Sequence, residues 1–581
     1  MNLQKTFNEA LAALNSQNFV AAERLFRKIL KLEPSHFDTL FLFVISLMYQ
    51  NKHDEAEKYA RRAIGFNPRH EALLSNYGLI LKTLGRLGEA LEYLNRALAI
   101  NQNNVLTIYN RGLVLFELKD YMKAVDSFDK VISIDPTFAD AFSGKGNAFR
   151  EIHRHDHAIT QYERALSLNS NLESAWLGRG NVFYELKRYD EAISDYNKAL
   201  ALKPDLENAW LGRGNVFCDL KRYDEAISDY NKALALNPNL VGAWLGRGGV
   251  FFGLNRDHEA LQCYDKVLDL KRDLPEAQWN KALVLLSLGQ YEEGWKLYEW
   301  RWKKRIFSSP VRHFKQPLWL NDFDIHGKTI LVHAEQGFGD TIQFARYLNC
   351  LEKLDCRIVF EVQKPLLSLF KSQEQPWQVI SKGEPLPPFD VQCPLLSLPL
   401  AFKTTPETIP GPTPYLFADS RLFEKWQGIL GNKSKKRIGL CWSGNVIPDA
   451  NRSVVLSQLL PILDQRIEWH SLQKELRDGD REALNASPLR DHVDNLHDFS
   501  DTAALIAQLD QVISIDTSVA HLAGALGKQS WILLPFHPDF RWFREQDHSP
   551  WYPTAKLFRQ TQIGDWSDVI KALGTSLISL N

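Results

Sequence analysis

The chain has 581 residues, 45% of them hydrophobic and 24% charged, which is the composition of several ordinary folded domains. Its 69 Lys and Arg offset 70 Asp and Glu to a net charge of -1, which excludes a global field drawing it onto nucleic acid or a membrane surface. The six cysteines (Cys218, Cys263, Cys350, Cys356, Cys393, Cys441) include no C-x-x-C pair, which argues against a disulfide framework and a zinc site.

The first residues, M-N-L-Q-K-T-F-N-E-A, lack the basic-then-apolar build of a secretory leader. The longest apolar run, near residues 40–48, is too short to span a bilayer, so the expectation is a cytoplasmic protein with no membrane span.

Residues 1–308 read as a repeat array. Trp176, Trp210 and Trp244 lie 34 residues apart, and Pro34, Pro68, Pro136, Pro204 and Pro238 fall on multiples of that period. Four places after the tryptophan position stand Gly78, Gly112, Gly146, Gly180, Gly214 and Gly248, with Val44 the exception in the second copy. Nine repeats then begin at 3, 37, 71, 105, 139, 173, 207, 241 and 275, each predicted as two short helices. Small residues let the pair approach, aromatics fill the gaps, and proline ends the second helix because it cannot continue the hydrogen-bond ladder. The copies from 173 and 207 are nearly identical. Asn76, Asn110 and Asn280 share one position of the first helix, and Asn147, Asn181 and Asn215 share another. Their amides are the candidates for holding a peptide backbone; the alternative is that these are solvated helix positions without a ligand. The ninth copy runs into Trp295, Trp300 and Trp302, which is too much apolar area for a solvated surface and is read as a capping helix. A connector follows over residues 309–326.

The remainder reads as two α/β lobes, over 327–430 and 436–581. A strand over 329–332 breaks into Gly337-Phe338-Gly339-Asp340, and a helix follows with Ile342, Ala345 and Leu348 on one stripe. Strand, glycine loop, helix is the opening of a doubly wound domain, where ligands gather at strand ends. Further strands are expected over 357–362 and 378–380. The basic run 433–437 is read as a solvated linker. The second lobe starts with a strand over 438–442 ending at Ser443, Gly444 and Asn445, and continues with strands over 467–472, 512–515 and 530–535. A helix over 501–509 is expected to be capped by Asp501, one over 519–526 to close at Gly527, and one over 566–577 to end the chain. At Asp516-Thr517-Ser518-Val519-Ala520-His521 a helix N-terminus turns free N–H groups and hydroxyls toward the cleft, a geometry suited to a diphosphate, and Arg452 adds a fixed positive charge. Plain N-capping by Thr517 and Ser518, and a buried hydrogen-bonded His521, are the bland alternatives.

The repeat half is similar to the tetratricopeptide pattern W-x2-L-G-x2-Y…A-x3-F…P. The segment 327–577 resembles a GT-B glycosyltransferase of the heptosyltransferase group. The residues that carry the resemblance are Gly339-Asp340, D-T-S-V-A-H-L-A-G-A-L-G-K from Asp516, P-L-L-S-L-P from Pro394 and S-P-W-Y-P from Ser549. Ser518 stands where the group's Asp-Thr-Gly-x-x-His pattern has glycine. The repeat-plus-transferase arrangement also resembles, more weakly, the protein O-linked N-acetylglucosamine transferases. The resemblance implies a tetratricopeptide solenoid followed by two Rossmann-like lobes. It also implies inverting transfer of a sugar from a nucleotide-sugar co-substrate, with neither a metal nor a resident cofactor. Asp340 takes the role of general base, accepting the proton of the attacking hydroxyl; that it only caps its helix is the bland alternative. Arg452, Gln473, Asp516, Thr517, Ser518 and His521 take the donor; Gly337, Gly339, Gln343, Gly444 and Asn445 form the cleft loops. Glu335 and Gln343 are expected to orient Asp340 or the acceptor, and His333 to pack at the strand end. A protein or peptide is the partner expected on the repeats.

Two other readings remain at this point: a scaffold whose repeats bind partners beside a degenerate transferase-like body, and a sensor that binds nucleotide-sugar without transfer. A dinucleotide-dependent oxidoreductase is disfavoured, because G-F-G-D-T-I lacks the third glycine of G-x-G-x-x-G.

Overall fold

The computed structural model describes residues 3–307, 309–411, 413–444, 450–477 and 479–579. The chain forms two compact units, Met1–Gly246 and Arg247–Asn581.

The first unit is all helix. Its first helices are Leu3–Asn15, Phe37–Tyr49, Glu71–Thr83, Val105–Glu117, Ala139–Glu151, Glu173–Glu185 and Glu207–Asp219, each followed by a 14-residue partner such as Tyr189–Leu202. Together with the two repeats that follow, they give eighteen repeat helices among the described residues, with the start points the 34-residue period predicts. What holds neighbours together is an aromatic wedge. A methyl group built on Gly180 would lie 3.0 Å from the Tyr196 ring, and one on Gly212, in the next repeat, 2.6 Å. Tyr162 sits likewise between Gly146 and Gly178, and Tyr230 between Gly214 and Gly246. The glycine is therefore the space into which the ring packs. Trp176, Trp210 and Trp244 act at the loops, each donating its indole N–H over 2.9 Å to a loop carbonyl, of Ser170, Pro204 and Pro238.

One recurring feature has no counterpart in the tryptophan and proline pattern. Each turn within a repeat passes through one left-handed residue: Gln17, Asn51, Gly85, Lys119, His153, Lys187, Lys221, Asn255 and Gly289. At Lys187 the turn is closed by its own N–H bonded to the Tyr184 carbonyl at 2.9 Å, and by the Arg188 N–H bonded to Phe183 at 2.8 Å. These bonds take up the last carbonyls of the helix and offset the strain of a side chain at positive φ.

The second unit takes in the last repeat helices, Asp257–Leu270, Pro275–Ser287 and Tyr291–Tyr298, and two parallel sheets. Helix Tyr291–Tyr298 runs on as a 3-10 turn, Glu299–Lys303, and of the three tryptophans only Trp295 is fully buried. Trp300 and Trp302 are half-buried and carry Lys303 and Arg301 over their rings.

The first sheet has strands β1 (Thr329–His333), β2 (Arg357–Val362), β3 (Gln378–Ser381) and β4 (Val391–Pro394), in the order β3-β2-β1-β4. The second has β5 (Arg437–Cys441), β6 (Glu468–Ser471), β7 (Leu489–Arg490), β8 (Gln511–Ile515), β9 (Gln529–Leu534), β10 (His548–Ser549) and β11 (Tyr552–Arg559), in the order β10-β11-β9-β8-β5-β6-β7. Only β10 runs antiparallel. Strands β4, β7, β10 and β11 are additions to the sequence reading; β7 and β10 are two residues each, and Pro394 and Pro553 lie in β4 and β11, where proline obscures a strand pattern. A second difference is the cap of helix Phe499–Ala507. The N-cap is Asp498, whose side chain accepts the Ser500 N–H, while Asp501 is buried and accepts from the Trp426 indole at 3.2 Å and from Lys425. Among the described residues no helix is long and apolar enough to cross a membrane.

Candidate functional site

The two motifs of the α/β lobes meet. Helix Phe338–Phe344 follows β1 and helix Ser518–Ala525 follows β8, and their first turns touch. A methyl group on Gly339 would lie 2.6 Å from the His521 ring and 3.5 Å from the Ser518 Cα, so only hydrogen fits there.

Asp340 is mostly buried, with 17% of its side chain exposed. One carboxylate oxygen accepts the Gly337 N–H at 2.8 Å, and the other pairs with the guanidinium of Arg541. Burial raises its proton affinity above the usual carboxylate range, opposed by Arg541. Arg541 lies on the 3-10 turn Phe540–Trp542, with 8% of its side chain exposed, and its other arm donates to Asp539 at 2.7 Å. Its Nε is buried without a partner among the described residues. Asp516, at the end of β8, is pushed up to about 6 by burial and by the neighbouring charge of Asp539. His521 sits 3.0 Å from the Tyr552 hydroxyl, stacks on Trp542 and lies 3.8 Å from Asp516. Burial, with Arg541 nearby, holds its imidazole neutral.

The donor-side residues divide. Arg452, Gly444 and Thr517 converge: a methyl group on Gly444 would meet Thr517 at 3.1 Å and the Arg452 Nε at 3.4 Å, and that Nε too is buried and has no partner among the described residues. Thr517 is the N-cap of its helix by backbone position, but its hydroxyl makes no capping bond; it lies 3.2 Å from the Ser514 hydroxyl. Ser518 is the first helical residue and half-buried. Gln473 is spent on the protein itself: it accepts the Ser443 N–H at 3.2 Å and donates to the Ser443 carbonyl at 3.0 Å. Its part is to hold the loop that leads to Gly444. Asn445 lies outside the described residues.

Two expectations about the first lobe are corrected. Glu335 does not orient Asp340; it forms a buried two-point ion pair with Arg301, 2.9 Å on each arm, and accepts the Leu396 N–H. Gln343 is fully buried, and among the described residues neither of its amide atoms has a partner, so it is not engaged with Asp340. His333 packs at the strand end, 3.0 Å from the Gln392 amide oxygen, and burial lowers it to about 4.

In the array, Asn147, Asn181 and Asn215 accept the hydroxyls of Tyr162, Tyr196 and Tyr230 at 2.7–2.9 Å. The acceptor half of each amide thus serves the wedge, and the N–H2 is what these positions can offer a ligand. Asn76, Asn110 and Asn280 are half-buried.

Comparison with known proteins bears on the helical half. Profiles described as TPR repeat match residues 146–187 and 180–220; profiles described as tetratricopeptide repeat match 41–105, 105–138 and 207–240. The chain carries tetratricopeptide repeats. Such repeats point to protein–protein interaction. Protein FlbA of Caulobacter vibrioides is 25% identical over 329 residues, 52% of this chain and 54% of FlbA, so the chain spans about half the length of that curated relative. Among solved structures, the APC/C hetero-tetramer Cut9-Hcn1 superposes with a TM-score of 0.40 at 16% identity, over 48% of this chain and 55% of that one. A tetratricopeptide repeat protein from Parabacteroides merdae superposes with a TM-score of 0.34 at 18% identity, over 49% and 98%.

Sequence reasoning missed Arg541, Asp539, Tyr552 and Arg346. Arg346 is buried, with its guanidinium against the Trp551 carbonyl at 2.9 Å and over the rings of Tyr415 and Tyr552. Tyr552 stands in the S-P-W-Y-P stretch without having been assigned a role, and Arg541, Asp539 and Arg346 stand in no recognisable spacing. The one available signal was the aromatic run around Arg541, Phe540-Arg541-Trp542-Phe543, because a cation among so many apolar neighbours needs a buried partner.

Proposed function

We propose that the α/β half of the second unit is a glycosyltransferase that moves a sugar from a nucleotide-sugar donor to an acceptor hydroxyl, and that the tetratricopeptide array recruits the acceptor. One observation carries this reading. The mostly buried carboxylate of Asp340 and the N-terminus of helix Ser518–Ala525 are brought together by the Gly339–His521 contact. A base thereby stands beside an anion-favouring helix end, and the Nε of Arg452 at the same loop has no partner among the described residues.

The chemistry needs both halves. The acceptor oxygen bonds to the anomeric carbon while that carbon's bond to the diphosphate oxygen breaks, the electron pair leaving on the diphosphate. The acceptor's proton passes to Asp340, whose raised proton affinity suits it to the task. The helix N-terminus and Arg452 offset the charge that develops on the leaving group. Under this reading Thr517, whose hydroxyl is not used for capping, and Asp516 take part in holding the donor's diphosphate and sugar.

A second reading, a non-catalytic body beside interaction repeats, is favoured by the two bonds Asp340 already makes, to the Gly337 N–H and to Arg541. Those bonds suffice to explain an aspartate at that position. Thermal-shift binding against nucleotide diphosphates and nucleotide sugars separates the two. A ligand at 100 times its dissociation constant raises folding stability by about 2.7 kcal/mol. Under the transferase reading one nucleotide stabilises wild type and fails to stabilise Arg452→Ala, and Asp340→Asn still binds it but loses turnover. If no nucleotide stabilises the wild type, the scaffold reading stands instead.

A further inference from the structure

Arg541 is an unusual placement for an arginine in a site of this kind. Its side chain is 8% exposed, it faces two carboxylates at once, Asp340 and Asp539, and its Nε has no partner among the described residues. A buried guanidinium carries five donor hydrogens in a rigid fork, and leaving one enclosed N–H unpaired costs stability that a structural arginine would avoid. By contrast, Arg301 in the same unit donates to Glu335, Ser397, Glu299 and a backbone carbonyl, and none of its nitrogens is left over. Arg541 thus keeps a donor for one further acceptor.

Resting on the transferase reading above, we propose that Arg541 is a diphosphate-binding residue parked on Asp340, and that an arriving diphosphate takes the guanidinium from Asp340 and so releases the base. The geometry permits this exchange. Arg541 ties its own turn to the first motif, one arm on Asp340 of the first-lobe helix that starts after Gly337 and the other on Asp539 at the head of that turn. A phosphate group presents the same bidentate face as a carboxylate with more charge, so it competes for a guanidinium on equal geometry and stronger attraction. Donor occupancy has a direct consequence for the base. The positive charge of Arg541 is what restrains the proton affinity of Asp340, so moving it to a diphosphate leaves the mostly buried carboxylate a stronger base. Order of binding follows: donor first, then acceptor. A base released only by donor would not deprotonate an acceptor that arrives alone.

The test is calorimetric titration of the full chain with inorganic pyrophosphate, on wild type, Arg452→Ala, Arg541→Gln and Asp340→Asn. Arg541→Gln is expected to weaken binding at least about tenfold, the loss of one charge-assisted contact. Asp340→Asn is expected to tighten it about five- to tenfold, since the amide still accepts the Gly337 N–H but no longer holds Arg541. The gain is expected to disappear when Asp340→Asn is made in the Arg541→Gln background. A gain that persists there comes only from removing a negative charge near the anion and overturns the parking. The double variant, which leaves no unpaired buried carboxylate, keeps the test alive if Arg541→Gln alone fails to fold. Pyrophosphate binding that Arg452→Ala weakens, with Asp340→Asn equal to or weaker than wild type, overturns the parking of Arg541 and leaves the donor site standing. No binding of pyrophosphate or of any nucleotide diphosphate to wild type overturns the donor site and this inference together.

Discussion

The two units handle buried charge in different ways. In the array, Arg179 pairs with Asp195 and Arg213 with Asp229 through two-point bonds of 2.7 and 2.9 Å, each pair 16 residues apart and repeated with the period. In the second unit, Arg301 reaches Glu335 and Arg541 reaches Asp340, the latter across 201 residues. Charge in the array is local and repetitive, so each repeat carries its own solution and depends mainly on its neighbours. Charge in the second unit ties distant segments together, so removing one partner disturbs the whole. Repetition secures a surface; long-range pairing secures a site.

The largest expected effect comes from breaking a long-range pair. Arg301→Met strands Glu335 in the interior and is expected to destabilise the second unit by about 3–5 kcal/mol. Hydrogen exchange should report faster opening of β1 and β4 with helices Leu3–Asn15 to Ala139–Glu151 unchanged. Equal loss across both units would contradict the local character of the array.

The same glycine substitution then sharpens the contrast. Gly212→Val and Gly339→Val each push a side chain into a ring 2.6 Å away, Tyr196 and His521 respectively. Overpacking of this kind costs about 1–3 kcal/mol. For Gly212→Val the exchange protection lost should be confined to the repeats beginning at 173 and 207. For Gly339→Val it should extend over both sheets, with loss of nucleotide binding.

Asp516 separates the units by pH. Its pKa is raised to about 6, so the folded state binds a proton more readily than the unfolded chain, and the stability this supplies at low pH is lost as pH rises through about 6. Asp516→Asn is therefore expected to be more stable than wild type at pH 7.5 by about 1–3 kcal/mol. The advantage should vanish below about pH 4 in a series of urea titrations. An advantage that persists at pH 4 would mean that shape and not ionisation is responsible.

The smallest effect belongs to the array's amide position. Asn181→Leu removes the acceptor of the Tyr196 hydroxyl and is expected to cost about 0.5–1.5 kcal/mol, measured by denaturant midpoint, with no change at the α/β site.

The 34-residue period was enough to place every first helix of the repeats at its observed start, because helix pairs and their wedges are made within one repeat and between adjacent ones. The loop motifs around Gly339 and Asp516 and most strands were legible for the same reason, as runs of a few residues with a clear hydrophobic pattern. Tertiary structure alone decided what those motifs meet. Asp340 reads from sequence as a helix-start carboxylate, and only the fold puts Arg541 on its second oxygen. Glu335 reads as a cleft residue, and only the fold gives it to Arg301. Asp501 reads as a cap, and the packing of Trp426 claims it while Asp498 caps the helix. Local propensity and periodicity depend on neighbours in the chain and can be read there. The partner of a buried charge is whichever opposite charge the packed lobes bring within about 3 Å, and no spacing in the chain records it.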